Sequence, residues 1–79
     1  MRAKVEIFLK SGVLDVQGKA VENALHGLGW PKVSAVRVGR VIEMELQVAS
    51  AVEAEAEAKA MCDRLLANPV IESYRVEIG

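Results

Sequence analysis

Residues 36–48, VRVGRVIEMELQV, carry the clearest structural signal in the chain. On an extended chain, side chains at alternate positions face the same way. Apolar residues here occupy every second position except one, where Arg40 interrupts the series, and the positions between them are mostly polar or charged. This alternation is typical of a half-buried strand. The apolar positions are Val36, Val38, Ile42, Met44, Leu46 and Val48.

Two paths of the chain fit this pattern, and they differ at Gly39-Arg40. A two-residue turn there would place Glu43 and Glu45 on the buried face, at a high cost in desolvation. A three-residue turn over residues 39–41 keeps the apolar side chains together, so a hairpin stays open as an alternative. A continuous strand that bends or bulges at Gly39 keeps them together as well.

A continuous strand over residues 36–48 is too long for one small domain. Thirteen residues extend over roughly 43 Å, whereas a compact domain of this length is about 30 Å across. The free end must then pair with a second chain, which predicts a strand exchanged between subunits. The residues expected to mediate this self-association are Val36, Val38, Ile42, Met44 and Leu46.

The sequence before this stretch predicts a strand and a helix. Residues 2–10 alternate between apolar and polar side chains, with Phe8 as an apolar exception on the polar face. Residues 15–28 have the apolar spacing of a helix, and Asp15 is a favourable N-cap. Gly29 suits the left-handed position that often follows a helix.

The sequence after it predicts a second helix and a last strand. Ser50 and Glu53 form a capping box at the start of the helix. Asn68-Pro69 ends that helix, and residues 70–78 alternate as a strand. The predicted apolar stripe of the helix is Ala54, Ala58, Met61 and Leu65, with Cys62 and Leu66 beside it.

These elements predict an α+β, ferredoxin-like βαββαβ sandwich in which residues 1–79 form a single domain. Two helices are expected on one face of an antiparallel sheet. The central two strands form either a hairpin or one long bent strand that is exchanged between subunits. A core this small gives only a small net free energy of folding, which also favours association with other chains.

Composition excludes several classes of protein. The 79 residues are 52% hydrophobic and 27% charged, which is globular, and the net charge of −1 provides no field to attract nucleic acid or an anionic membrane. The N-terminus does not have the pattern of a signal peptide. A single cysteine, Cys62, excludes an internal disulfide, so we expect a reducing compartment, most simply the cytoplasm.

The sequence offers no set of residues suited to catalysis, to a cofactor or to a metal ion. His26 is the only histidine and lies at the predicted end of the first helix, where its partial positive charge is favourable. Cys62 falls beside a buried stripe and is interpreted as an unreactive core thiol. Glu43 and Glu45 share a strand face and are interpreted as solvated side chains. We therefore predict no catalytic, cofactor-binding or metal-binding residue.

Two longer strings resemble a known family. Residues 13–29, VLDVQGKAVENALHGLG, and residues 65–78, LLANPVIESYRVEI, are similar to the PurS family, the small subunit of the three-part phosphoribosylformylglycinamidine synthase. The turn from Arg37 to Arg40 and the long apolar strand are similar too. The family often has proline directly after the aspartate, where this chain has Val16, which should weaken the start of the helix slightly.

The resemblance implies a role without catalysis. A large, PurL-like synthetase subunit activates formylglycinamide ribonucleotide with ATP, and a PurQ-like glutaminase subunit releases ammonia from glutamine. The small subunit binds both, assists ammonia transfer, forms homodimers or homotetramers, and carries no catalytic residue or cofactor. Residues expected at the interface with these partners are Leu14, Asp15, Gln17, Lys19, Arg37, Arg40, Asn68 and Pro69.

The main alternative is a stand-alone regulatory module that binds a small molecule at a dimer interface. Such a module needs a glycine-rich loop between the first strand and the first helix, and Ser11-Gly12 is shorter than that. A small enzyme of the acylphosphatase type would need an arginine and an asparagine in the same loop, and neither is present.

Overall fold

β1 (Arg2–Leu9) is the central strand of a three-stranded antiparallel sheet. The computed structural model describes all residues from Met1 to Gly79. On one side β1 pairs with β2 (Arg40–Glu45), and on the other side it pairs with β3 (Glu72–Ile78). The strand order is β2-β1-β3, so β2 and β3 each have one free edge.

α2 (Ala51–Met61) packs against β1 and β3 on one face of the sheet, called here the inner face. Small side chains at Ala54 and Ala58 let the helix approach closely, and both residues are fully buried. The core that results consists of two groups of buried residues: Ala3, Leu46, Ala54 and Ala58, and Val5, Ile7, Cys62 and Ala67.

A single π-helical turn, Cys62–Leu66, follows α2 directly. The sequence predicts Leu65 in the buried stripe, and this prediction is wrong: the wider turn shifts the helical register and leaves Leu65 83% exposed. Cys62 is fully buried, and burial raises the pKa of its thiol. That environment agrees with the interpretation of an unreactive core thiol.

Both helices begin where the local signals predict. α1 (Val16–Gly27) is capped by Asp15, whose Oδ1 accepts a hydrogen bond of 2.8 Å from a backbone N–H of the first turn. Gly29 has a φ of +106°, the left-handed conformation that was predicted. The Oγ of Ser50 accepts a hydrogen bond of 3.2 Å from the backbone of Glu53. The predicted caps are therefore confirmed.

α1 lies along residues 33–38 of its own chain and makes no extensive contact with the sheet. The paired residues, side chain of α1 first and backbone second, are His26 with Val33, Glu22 with Val36, and Asp15 with Val38. About 16 Å of helix is thus matched by five residue steps, so segment 33–38 runs antiparallel to α1 and is extended apart from Ala35, which has a φ of +55°. Residues 13–38 are called the arm below.

The chain runs straight from the arm into β2 without a reversal. Arg40 lies opposite Ile7 of β1, and the preceding residue, Gly39, lies against the Ile7 carbonyl and the Phe8 ring. The hairpin alternative is therefore not adopted. Only residues 40–45 of the predicted long strand pair with β1, because β1 ends at Leu9 and leaves segment 33–38 without a neighbouring strand.

The predicted α+β class, with an antiparallel sheet and two helices, is confirmed, and one detail differs. Within a single chain only α2 covers the inner face, because α1 is held in the arm. The molecule is consequently elongated, 49 × 25 × 14 Å, with a radius of gyration of 15.7 Å against about 12 Å for a compact chain of this length. None of its helices is long and apolar enough to span a bilayer.

Candidate partner-binding site

A cleft of about 430 Å³ opens where the arm meets the sheet, and it is called the junction cleft. The start of α1, the residues that lead into β2, and the first residue of β3 line it. Four of the eight residues predicted at a partner interface meet here, and Arg40 is distant in the sequence from the other three. These four residues are Leu14, Asp15, Gln17 and Arg40.

Arg40 joins three elements at the sheet side of the cleft. Its Nη1 donates to Glu72 Oε2 at 2.7 Å, and its Nη2 donates to the carbonyl of Leu66 at 2.6 Å. The Arg40 guanidinium lowers the pKa of Glu72, and Glu72 in turn raises the pKa of Arg40. This ion pair explains why a charged residue interrupts the apolar series of β2: its partner stands on the same face, across β1.

The Asn68-Pro69 corner is tied to the same ion pair. Glu72 Oε1 accepts a hydrogen bond of 2.7 Å from the backbone N–H of Asn68, and Asn68 Oδ1 accepts one of 3.0 Å from Val70. Lys10 Nζ donates to the carbonyl of Pro69 at 2.6 Å. Arg40, Asn68 and Pro69 therefore belong to one connected region at this end of the sheet.

Sequence reasoning missed Glu72, although a signal for it exists. In residues 70–78, Glu72 shares its parity with the apolar Tyr74, Val76 and Ile78. It is therefore a charged exception on an apolar face, as Arg40 is in β2. Two exceptions of opposite charge in strands of one sheet are a reason to expect an ion pair.

Asp15 uses both carboxylate oxygens within the chain. Oδ1 caps α1, and Oδ2 accepts a hydrogen bond of 2.9 Å from the backbone of Val38. These backbone N–H groups lower the pKa of Asp15. The side chain therefore anchors segment 33–38 to α1, and this explains its position at the wall of the cleft.

Lys19 lies one turn further along α1 and belongs to the arm rather than to the cleft. Its Nζ donates to Glu22 Oε2 at 3.2 Å, while Glu22 Oε1 accepts a hydrogen bond of 3.3 Å from the backbone of Val36. The pKa of Glu22 is lowered, mainly by the hydrogen bond from the Val36 N–H and to a smaller extent by the one from Lys19. His26 Nε2 contacts the Val33 carbonyl at 2.6 Å and acts as the donor, because a carbonyl oxygen only accepts.

Arg37 points to the outer face of the sheet, away from the cleft. Its guanidinium lies 5.2 Å from the centre of the Phe8 ring, and its Nη2 donates to the Leu9 carbonyl. The contact explains why Phe8 is apolar on a polar face, since a cation above an aromatic ring is attracted to it. Among the predicted interface residues, Leu14 and Gln17 are left as exposed side chains at the rim of the cleft.

The carboxylates of the junction cleft are poorly suited to proton transfer. A general acid or base works best with a pKa near the operating pH. The pKa values of Asp15 and Glu72 are both lowered, by backbone hydrogen bonds and by Arg40 respectively, so both stay ionised near neutral pH. The charges of Arg40 and Glu72 balance each other, and Leu14 beside them is 76% exposed. These properties suit contact with another protein.

Acid is expected to destabilise this region. Asp15, Glu22 and Glu72 have pKa values below the ordinary 3.8 and 4.5, so the unfolded chain takes up protons first as the pH falls. Their contributions are complete above those ordinary values and are lost as the pH falls through the lowered folded values, below about pH 4. Melting temperatures followed by circular dichroism from pH 7 to pH 3 measure this loss.

The matched comparison for this prediction uses two amides. Asp15→Asn is expected to flatten the dependence of the melting temperature on pH, because one of the three titrating groups is gone. Glu57→Gln, on the exposed side of α2, is expected to keep the dependence of the natural chain. Equal pH dependence in the natural chain and in Asp15→Asn would contradict the assigned role of Asp15.

Comparison with known proteins gives one consistent result. Residues 2–79 match the family PurS, phosphoribosylformylglycinamidine (FGAM) synthase. The phosphoribosylformylglycinamidine synthase subunit PurS of Bacillus subtilis (strain 168) is 42% identical over 77 residues, which cover 98% of this chain and 90% of that protein.

Solved structures agree. The crystal structure of PurS from Methanocaldococcus jannaschii is 36% identical, with a TM-score of 0.87 over 96% of this chain and 92% of that one. A chain of the structure of PurLQS from Thermotoga maritima is 29% identical, with a TM-score of 0.88 over 96% and 93%. A family model that matches residues 2–79 and a relative that is 42% identical over 98% of this chain show that this chain belongs to the PurS family of FGAM synthase.

Proposed function

We propose that this chain is the non-catalytic adaptor of FGAM synthase, and that it bridges the glutaminase and synthetase subunits and assists the transfer of ammonia between them. PurS-family chains are subunits of this enzyme in purine biosynthesis. The observation that carries the proposal is the likeness to a chain of the Thermotoga maritima PurLQS structure over 96% of this chain. The overall reaction converts FGAR, glutamine and ATP to FGAM and glutamate.

The chemistry of ammonia explains why such an enzyme needs an adaptor. Ammonia released into water near neutral pH is protonated and loses its nucleophilicity. Two active sites held together, with water excluded between them, avoid that loss. An adaptor needs contact surfaces and no acid or base of its own, which fits the ionised, hydrogen-bonded carboxylates of the junction cleft.

The rim of the junction cleft is the surface proposed to contact a partner subunit. Leu14 and Gln17 are exposed there, and the Arg40–Glu72 pair holds the Asn68-Pro69 corner beside them. The contacts of Asp15, Lys19 and Arg37 within the chain give these three a supporting role in the arm.

Self-association of the chain is proposed on the basis of its surface. The accessible area is 5573 Å², whereas a compact monomer of 8.5 kDa exposes about 4650 Å². The excess of about 900 Å² is close to the share that one partner buries in a standard interface, about 800 Å². Twelve large hydrophobic residues are exposed, a further sign of surface that another chain covers.

The predicted self-association residues divide into two groups. Val36 and Val38 in the arm, and Ile42 and Met44 on β2, are half-buried, and β2 has a free edge beside them. We propose that the arm of a second copy covers this part of β2, in a homodimer or a dimer of dimers. Leu46 instead packs in the core of its own chain. The compartment proposed for this assembly is the cytoplasm.

A reconstituted assay tests the adaptor function. The glutaminase and synthetase subunits of the same organism are mixed with and without this chain, and FGAM formation is followed with glutamine or with ammonium as nitrogen donor. Omission is expected to lower the glutamine-dependent rate by at least about tenfold, because ammonia is lost to water, and to leave the ammonium-dependent rate unchanged. Equal glutamine-dependent rates would contradict the adaptor function and favour a stand-alone regulatory module.

A further inference from the structure

We propose that Arg37 and Arg40 form a clamp around Gly39 that keeps the chain straight between the arm and β2, and thereby directs the arm to a second copy of this chain. The inference rests on the proposed self-association and explains how the sequence selects it. The junction clamp consists of Phe8, Arg37, Gly39, Arg40 and Glu72.

The clamp holds β1 from both faces. Arg37 lies on the outer face, against the Phe8 ring and the Leu9 carbonyl. Arg40 lies on the inner face and reaches across β1 to Glu72 at 2.7 Å. Because the two arginines have opposite parity on either side of Gly39, each secures the chain against a different face of the same strand.

Gly39 sits where no other residue fits. A Cβ at this position would lie 2.6 Å from Cδ1 of Phe8 and would also overlap the Ile7 carbonyl. The glycine does not have the left-handed φ that a tight turn uses, since only Gly12 and Gly29 have positive values among the glycines. Its role here is close contact between two backbones, which the straight path requires.

The clamp opposes a hairpin that the side-chain pattern permits. A three-residue turn over residues 39–41 would fold segment 33–38 back onto the free edge of β2, with Val38 opposite Ile42. That reversal removes Arg40 from its position opposite Ile7 and separates it from Glu72. It also pulls Arg37 away from Leu9. The clamp contacts therefore exist only in the straight form.

A straight chain cannot use its own arm to cover β2. The free edge of β2 stays open, and so does the groove lined by Met44, Met61 and Leu65, which Glu57 and Arg64 also border. The arm of a second copy has side chains that suit this space. It carries a segment that can pair with the edge of β2, and an apolar stripe on α1 that is left uncovered by the sheet of the same chain. This is the geometry of domain exchange with Gly39 as the hinge.

The experiment compares oligomer mass and copy exchange in four full-length chains. These are the natural chain, the double variant Phe8→Ala/Arg37→Ala, a variant with two glycines inserted after Gly39, and the control Arg75→Ala. Arg75 is a matched control because it is also an outer-face arginine, paired with Glu6 at 2.7 Å. Light scattering during size exclusion gives the mass at several concentrations, and native mass spectrometry of mixed ¹⁴N and ¹⁵N copies gives the exchange rate.

The double variant and the insertion are expected to weaken the oligomer by about tenfold in dissociation constant, from the lost cation–π contact and hydrogen bond. The control is expected to match the natural chain. In the monomer fraction of the weakened variants, NMR contacts between the backbones of Val38 and Ile42 are expected, since the released arm folds back as a hairpin.

Three results would overturn the inference, and they are distinguishable. Variants that associate and exchange like the control would show that the clamp does not select the straight form, while self-association stands. A weakened variant whose monomer lacks the Val38–Ile42 contacts would show that the clamp residues act only as interface contacts. A monomeric natural chain would remove the proposed self-association and this inference with it, without bearing on the adaptor assay.

Discussion

Gly18→Ala is expected to destabilise the protein, although alanine is the better helix former. In an exposed helix the exchange gains up to about 1 kcal/mol. Gly18 is buried in the first turn of α1, however, and a Cβ there would lie 2.5 Å from the Val36 carbonyl and 2.7 Å from Asp15 Oδ2. Overpacking of this kind costs about 1–3 kcal/mol. We expect the free energy of unfolding to fall by about 1–2 kcal/mol.

The matched control is Gly27→Ala at the other end of the same helix. Apart from its chain neighbours and the backbone of its own helix, no atom lies within 4 Å of a Cβ at Gly27, and the φ of Gly27 is not positive. This exchange is therefore expected to stabilise α1 by up to about 1 kcal/mol. Urea unfolding measures both changes. Hydrogen exchange at the amides of Val36 and Val38 is expected to speed up in Gly18→Ala alone.

The two glycines separate packing from helix propensity. If Gly18→Ala stabilised the chain as much as Gly27→Ala, the close contact between α1 and segment 33–38 would be absent in solution. The arm would then be a free helix followed by a free strand, and the hydrogen bonds from Val36 and Val38 to the helix would have no structural role.

Features that depend on a few neighbouring residues could be predicted from the sequence. The caps at Asp15 and Ser50 and the left-handed Gly29 follow from local hydrogen bonding and backbone sterics, which do not depend on the rest of the fold. The strands and helices follow from periodicity for the same reason. Alternation over residues 36–48 also showed correctly that a two-residue turn at Gly39 is unfavourable.

The position of α1 could not be predicted, because it depends on what covers its apolar stripe. Helical spacing indicates that Val21, Leu25 and Leu28 face a core, yet Leu28 is 71% exposed in the single chain. Periodicity shows that a face should be buried but does not show whether the covering surface belongs to the same chain. Segment 33–38 likewise has the pattern of a strand without a neighbour to pair with.

The exceptions in the pattern were visible, but their partners were not. Phe8 on the polar face and Arg40 on the apolar face both stood out. Their partners, Arg37 and Glu72, required the register of β1 against the rest of the chain, which depends on long-range pairing. The same register brings Leu14 and Gln17 to Arg40 in the junction cleft and directs Arg37 to the opposite face.

Leu14→Asp is expected to weaken assembly with the partner subunits strongly while the chain's own fold is kept. Leu14 is 76% exposed at the rim of the junction cleft, so its replacement removes no contact of the core. A buried leucine at an interface contributes about 1.5–3 kcal/mol, and a charge left unpaired there adds a desolvation cost. We expect binding to weaken by about a hundredfold, with a matching loss of glutamine-dependent FGAM formation.

Val52→Asp is the matched control, because Val52 is 80% exposed and lies in the first turn of α2, where a negative charge is favourable. It makes the same exchange of an apolar side chain for a carboxylate at a place outside the cleft. Titration calorimetry against each partner subunit and light scattering of each variant alone provide the measurements. Assembly of Leu14→Asp as tight as that of Val52→Asp would show that the rim is not the contact surface. A loss of oligomer mass in Leu14→Asp alone would instead assign Leu14 to self-association, so the two measurements together decide which partner this end of the arm meets.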